Sequence, residues 1–252
     1  MEKRKIDLAN YELDTFREDL RQLGISLDEK QLFMFMQYYE LLIEWNSFMN
    51  LTAITDYNEV LKKHFIDSLT LVELLTYERL EKSLSVIDIG TGAGFPGIPL
   101  KIVFPDLQIT LLDSLQKRVN FLQTVINELS LSDIEAVHGR AEEYVKKGKG
   151  REQYDLCVSR AVANLSTLSE YCLPYVKVGG AFVPYKSGNI EEEYIQAQKA
   201  IMLLGGKEEK QVSFTIPGTN IARTLFLIEK VKETPAKYPR KAGLPSKEPL
   251  GS

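Results

Sequence analysis

The chain has 252 residues, 44% of them hydrophobic, and a formal net charge of −4; that is enough to bury one good core with a smaller second element, and too acidic to act as a general coat on nucleic acid. Two cysteines and two histidines (His64, His138) at unrelated spacings cannot supply the three or four ligands of a zinc site, so no metal is expected, and Cys157 and Cys172 sit in apolar stretches as packed, reduced thiols. No apolar run approaches a membrane span, and the opening MEKRKIDLANYELD alternates charge with hydrophobe, so neither signal peptide nor anchor is expected and the chain reads as cytoplasmic.

Residues 11–83 read as helices. In the second of these, Asp28 and Gln31 have the spacing of a capping box, and Leu32, Phe35, Met36, Tyr39, Leu42, Ile43 and Met49 recur on one face as a core stripe. A third helix is expected from about Asn58 through KKHFIDSLTLVELL, with His64 a polar side chain at its packing edge. After Leu84 the pattern changes to strands alternating with helices. Strands are predicted at Val86–Ile89, Gln108–Leu112, Ile134–His138, Asp155–Ser159, Gly180–Tyr185, near Gln211–Ile216, and at Thr224–Glu229. Between them, helices are predicted at Phe95–Val103, Leu115–Leu129, just after Arg140, at Asn164–Val176, and at Asn189–Leu204 with Asn189 and Glu192 as a capping box. This spacing implies a mostly parallel sheet with right-handed crossovers and an antiparallel edge formed by the last two strands. The closing TPAKYPRKAGLPSKEPLGS has four prolines and two glycines and is expected to be extended. The organisation read from the chain is a helical cap at 1–83, an α/β domain at 84–233 and a basic tail at 234–252.

In an open α/β sheet, ligands bind at the carboxyl ends of the strands, beside the point where strand order reverses. The first strand ends in Asp88 and the glycine turn Gly90, Gly92, Gly94, followed by Phe95 and by prolines that mark a helix start pointing free amides at the turn. The second ends at Asp113, 19 residues after Gly94, where a carboxylate can hold ribose hydroxyls. The string Gly92 to Gly97 matches the dinucleotide pattern, but Asp88 would repel a pyrophosphate and would welcome the ammonium of an amino-acid group. The turn therefore reads as a site for S-adenosylmethionine.

The acceptor side is read from the fourth strand, which ends in SRAVANL. That place lacks the Asn/Asp-Pro-Pro-aromatic string used for exocyclic amines, and neither cysteine lies in an exposed loop where it could attack a pyrimidine carbon. An acceptor that already has a lone pair, such as a ring nitrogen of guanine, fits and requires no general base. Arg140, Arg160, Lys186 and Arg223, with Lys237, Arg240 and Lys241 of the tail, are the candidates for a phosphate-binding surface.

The blocks WNSFMNLTAIT, KHFIDSL, DIGTGAGFPGIPL, LLDSLQKRVNFL, GRAEE, SRAVANL and YPRKAGLPSKEPL resemble, in order and over nearly the whole chain, the RsmG (GidB) family. The resemblance implies a class I methyltransferase sheet of seven strands with an N-terminal helical extension, S-adenosylmethionine as donor, and N7 of a guanine in the decoding-centre loop of 16S ribosomal RNA as acceptor. It also implies donor contacts at Gly90, Phe95, Ala141, Glu142 and Arg160, with Asp88 and Asp113 in the same pocket and the adenine near Ala141 and Glu142. Arg160 is then the positioning residue for catalysis. The loop YKSG, which carries Lys186, resembles but does not repeat the family's LKG form, so the resemblance does not fix the role of Lys186. A monomer is expected, with the small ribosomal subunit or its RNA as partner. Two other classes stay open on the sequence: a methyltransferase for a small molecule, and a donor-binding module without transfer.

Overall fold

Seven strands, β1 (Ser85–Ile89), β2 (Gln108–Asp113), β3 (Ile134–His138), β4 (Tyr154–Arg160), β5 (Val176–Ser187), β6 (Gly206–Thr215) and β7 (Ala222–Lys230), form one sheet in the order β3-β2-β1-β4-β5-β7-β6. The computed structural model describes residues 6–147, 150–160, 163–188 and 190–251. Strands β1 to β5 pair in parallel, and β7 runs antiparallel between β5 and β6. The chain leaves β1 toward β2 and β3 on one side and returns to β4 on the other, so the strand order reverses between β1 and β4, where such sheets bind ligands. Strands β5 and β6 extend past their predicted bounds at their amino ends: Val176 pairs with Tyr154 across a register irregularity, and Gly206, Lys207, Glu208 and Lys210 pair with β7, beyond the apolar stretch that marks a strand in sequence.

The period of two along each strand sorts side chains between two cores. Val86, Ile109, Leu111, Leu156 and Val158 face a cluster shared with the N-terminal helices, while Ile87, Ile89, Leu112 and Cys157 face a second cluster. The first face is covered by α1 (Asp14–Gln22), α2 (Glu29–Met49), a helical run made of α3 (Tyr57–Val60), a π turn (Leu61–Ile66) and α4 (Asp67–Leu69), α5 (Tyr77–Leu80) and α6 (Gly97–Val103). Between β2 and β3 comes α7 (Gln116–Glu128), whose Phe121, Leu122 and Val125 pack into the same cluster, and after β3 the short α8 (Ala141–Tyr144). The second face carries α9 (Leu165–Cys172) and α10 (Glu191–Leu203). Asp28 caps α2 with Gln31 in the predicted capping box, and the core stripe of α2 takes in Tyr38 and Leu41 besides Leu32, Phe35, Met36 and Leu42. The proposed cap of α10 at Asn189 lies outside the described residues. Both cysteines are free and fully buried, and burial pushes the Cys157 thiol well up, as expected for packed thiols.

The C-terminal segment is not an extended basic arm. After β7 it docks along α9 and closes with a short helix, α11 (Leu244–Lys247), entered through Pro245 in its first turn, the position where proline is tolerated. Lys230, at the end of β7, is fully buried; its ammonium donates to the carbonyls of Leu173 and Val176 and to Thr234 Oγ1, and pairs with Glu152 at 3.0 Å.

Candidate active site

The glycine turn after β1 is held from inside. Gly90 N donates to the Leu112 carbonyl at 2.9 Å, which ties the turn to β2. Asp88 shares the face of Val86 and is fully buried; its Oδ2 accepts from Thr91 Oγ1 at 2.7 Å and from the Gly97 amide at 2.9 Å. The first-turn amide of α6 is therefore not free to meet a ligand, contrary to expectation, and Asp88 acts as the internal clamp of turn and helix rather than as a surface for an ammonium. Its Oδ1 is buried without a hydrogen-bond partner among the described residues, and burial pushes its carboxyl up to about 6 against the opposing effect of the Thr91 and Gly97 bonds. Two glycines serve close packing here. A Cβ on Gly94, whose φ is +99°, would sit 2.5 Å from Ile98 Cδ1, and one on Gly97 would run into Leu111.

Asp113 is also spoken for. Its Oδ2 accepts from the Gly92 amide at 3.0 Å and from Arg118 Nη1 at 3.3 Å, its Oδ1 from the Leu115 amide at 2.9 Å, and the residue is 2% exposed. It pins the turn to the start of α7, and the reading as a free acceptor for ribose hydroxyls is corrected accordingly. The residue beside it, Ser114, lines the open space instead.

That space is a cavity of about 250 Å³ at the carboxyl ends of β1, β2 and β3. Gly90, Ser114, Ala141 and Glu142 line it together with Arg140, while Tyr171, Gly243 and Ser246 close it from α9 and the C-terminal segment. Of the donor residues expected from sequence, Gly90, Ala141 and Glu142 reach the cavity; Gly92, Gly94, Asp88 and Asp113 shape the turn behind it. Ile89, Leu112 and Ala141 give it apolar walls, and Ser114 and Glu142 add polar groups, which is the mix that a purine nucleoside requires. The adenosine half of S-adenosylmethionine fits this donor set. Sequence reasoning missed Ser114, Tyr171, Gly243 and Ser246; the PRKAGLPSKEPL block held two of them, read there as an RNA contact.

Phe95 and Arg160 lie on the other face of the sheet, against the helical cap. The Phe95 ring stacks on His64 (4.5 Å, 13°) and packs beside Tyr38 at 5.4 Å, with the Arg160 guanidinium 5.0 Å from its centroid. Alternation along β4 puts Arg160 on this face, two residues after Val158. Its Nη1 donates to Asp67 Oδ2 at 2.9 Å and to the Lys63 carbonyl at 3.2 Å. Arg223 of β7 grips the same carboxylate in a fork, Nε to Oδ1 at 2.7 Å and Nη2 to Oδ2 at 2.8 Å. Ala161 and Val162, which follow Arg160, lie outside the described residues.

Several residues expected on a phosphate-binding surface are engaged internally. Arg223 is held by Asp67 as above; Lys186 pairs with Glu193 at 2.6 Å and donates to the Ala163 carbonyl; Arg240 forks onto the buried Glu170. Both arginines are satisfied by carboxylates far away in sequence, 156 residues for Arg223 and 70 for Arg240, which local spacing does not reveal, whereas Lys186 meets a glutamate of the helix that follows its own strand. Arg140, Lys237 and Lys241 remain exposed, Lys237 lying over the ring of Tyr238.

His64 is a central packing residue, not an edge one. Its Nδ1 faces Arg160 Nη2 at 3.2 Å and its Nε2 faces Thr52 Oγ1 at 2.9 Å. A guanidinium only donates, so Nδ1 accepts and the proton sits on Nε2. Burial, reinforced by the Arg160 charge, holds the imidazole down to about 3 from an ordinary 6.5. Because the unfolded chain then binds more protons than the native one below pH 6.5, this histidine removes stability as pH falls from 6.5 toward 3. The stability difference between wild type and His64→Gln is therefore expected to shrink by about 1.4 kcal/mol per pH unit between pH 6 and 4.5. Asp88, whose raised carboxyl has the opposite sign, is common to both proteins and cancels. Urea titrations at stepped pH measure this; a pH-independent difference would place the charged imidazole in the native state.

The family model described as rRNA small subunit methyltransferase G (GidB) matches residues 31–222, ending before the C-terminal segment. The chain is 57% identical to the ribosomal RNA small subunit methyltransferase G of Lachnoclostridium phytofermentans, over 94% of this chain and 96% of that protein, and 51% identical to that of Alkaliphilus metalliredigens over 93% and 97%. A solved SAM-dependent methyltransferase from Aquifex aeolicus shares the fold (TM-score 0.51, 17% identity, 69% of this chain and 94% of that one). With its seven-stranded sheet and strand-end cavity, the chain belongs to the GidB family of rRNA small subunit methyltransferases.

Proposed function

We propose that the protein transfers the methyl group of S-adenosylmethionine to N7 of a guanine in the decoding-centre loop of 16S ribosomal RNA. The observation that carries the reading is the cavity at the carboxyl ends of β1 to β3, built for an adenosine, in a chain of this family. The donor supplies an electrophilic methyl on a sulfonium. Gly90, Ser114, Ala141 and Glu142 hold its adenosine, and the clamps at Asp88 and Asp113 keep the turn rigid beneath it.

Guanine N7 carries its lone pair in the plane of the ring, so the chain has no proton to remove and its task is alignment and electrostatics. The site agrees with that demand. The one histidine close to Arg160 is held neutral and spends both nitrogens on Arg160 and Thr52, so it is not a free base. Arg160, at the end of β4 and fixed by Asp67 and Lys63, is the positioning cation on the acceptor side. The exposed Arg140, Lys237 and Lys241 are the cations available to RNA phosphates. Among the described residues no helix is long and apolar enough to cross a membrane, and in this reading the protein works as a cytoplasmic monomer.

Incubation with methyl-labelled donor and, in parallel, small ribosomal subunits, naked 16S RNA or a pool of small metabolites tests the acceptor class. Label is expected in the RNA of the first or second arm; label confined to metabolites overturns the RNA reading, and donor binding without transfer in any arm overturns the enzyme.

A further inference from the structure

The donor cavity is incomplete without residues from the far end of the chain. Gly243 and Ser246 form part of its wall, and they reach it because the segment after β7 is fastened at successive points along the second face of the sheet. Arg151 donates to the carbonyls of Tyr238 at 3.0 Å and Thr234 at 2.6 Å. Thr167 Oγ1 donates to the Pro245 carbonyl at 2.9 Å, and Ser166 Oγ donates to that of Leu250.

The strongest fastening is Arg240 on Glu170. Glu170 lies on α9, fully buried, and one carboxylate takes the Arg240 backbone amide at 2.7 Å, Nε at 3.0 and 3.1 Å and Nη2 at 2.7 Å. The same Nη2 donates to the Glu248 carbonyl, so this guanidinium bridges both ends of the short loop that carries Gly243 and Ser246. A buried charge satisfied by four donor contacts from one residue fixes that residue's place more firmly than a surface pair could.

The loop held in this way meets the donor site at a residue already in the cavity wall. Glu142 Oε1 accepts from the Gly243 amide at 2.9 Å, and Ser246, whose Oγ donates to the Gly243 carbonyl at 3.0 Å, lines the cavity together with Tyr171. We infer that the C-terminal segment is the outer wall of the adenosine pocket, that Arg240 and Glu170 are positioning residues for donor binding, and that the Gly243 amide orients the Glu142 carboxylate toward the donor. The inference rests on the donor reading above, and it replaces the role of Arg240 as a phosphate contact. Its energetic logic is preorganisation: a wall already held in place does not have to be ordered when the donor arrives.

The test is binding of S-adenosylhomocysteine, followed by calorimetry on the full chain. For the double variant Glu170→Gln, Arg240→Gln, which leaves no unpaired buried charge, the dissociation constant is expected to rise about tenfold, with Arg240→Lys in between. Steady-state methylation should show the donor KM rising while the RNA KM and the kcat at saturating donor hold, a split that general loss of structure does not produce. If the double variant does not fold, Thr167→Val loosens the same loop through one bond and should weaken binding about threefold. Amide exchange at Gly243 and its neighbours in wild type should also slow when S-adenosylhomocysteine is added. Unchanged affinity in the folded variants, or unchanged exchange at 240–250 in a wild type that binds, overturns the inference. Failure of the wild type itself to bind S-adenosylhomocysteine overturns instead the donor reading on which it rests.

Discussion

Replacing Asp67 with alanine is expected to cost the protein about 3–5 kcal/mol of stability, the range for removing one side of a buried ion pair. The residue is 1% exposed, and its carboxylate is the shared partner of two guanidiniums that are themselves nearly buried, 11% and 13% exposed. Without it two cations face each other across a dry gap. The loss is also topological. Asp67 belongs to the helical cap, Arg160 to β4 and Arg223 to β7, so one carboxylate joins the cap to strands on both sides of β5. Urea unfolding gives the number; a change below about 1 kcal/mol would mean that the arginines find water and that the cap is held by apolar packing alone.

Arg160→Ala should behave differently: the fold survives and methylation falls by about 10²–10³-fold, the usual loss when one preorganised electrostatic group is removed from a site. The asymmetry follows from the fork. When Arg160 is deleted, Asp67 keeps both bonds from Arg223, so no buried carboxylate is stranded. What disappears is the cation over Phe95 and the donor to His64 Nδ1, together with the positive group at the end of β4 that is proposed to position the acceptor. Circular dichroism and turnover on small subunits, measured on the same preparation, separate the two effects. Full turnover with an intact fold contradicts the role given to Arg160.

What could be read from the chain follows the range of the interactions involved. The glycine turn, the end of β1 and the Asp28 capping box are written in residues a few positions apart, and they lie where the sequence places them. Gly90, Ala141 and Glu142, which the family resemblance implies as donor contacts, line a cavity at the strand ends, where such sheets place ligands. Asp88 and Asp113 stand where the sequence places them, but nothing local says that the Gly97 amide will take one oxygen of Asp88, or that the Gly92 and Leu115 amides will take both oxygens of Asp113. The misread cations are of the same kind. Arg223 meets Asp67 across 156 residues and Arg240 meets Glu170 across 70, so a basic side chain that looks free in sequence is neutralised only by the fold. His64 stood in the KHFIDSL block with no chemistry attached; its stacking on Phe95 needed the cap and the glycine turn to come together.

The most direct test of the whole account is the position of the methyl group. Small subunits lacking the modification are incubated with the protein and S-adenosylmethionine, the 16S RNA is extracted, and N7-methylated guanines are located by borohydride reduction and aniline cleavage. The account predicts one new cleavage, within the decoding-centre loop, absent without donor and strongly reduced with Arg160→Ala. Methyl transfer that yields no cleavage there, or label recovered on a carbon, an exocyclic amine or a ribose hydroxyl, would contradict it.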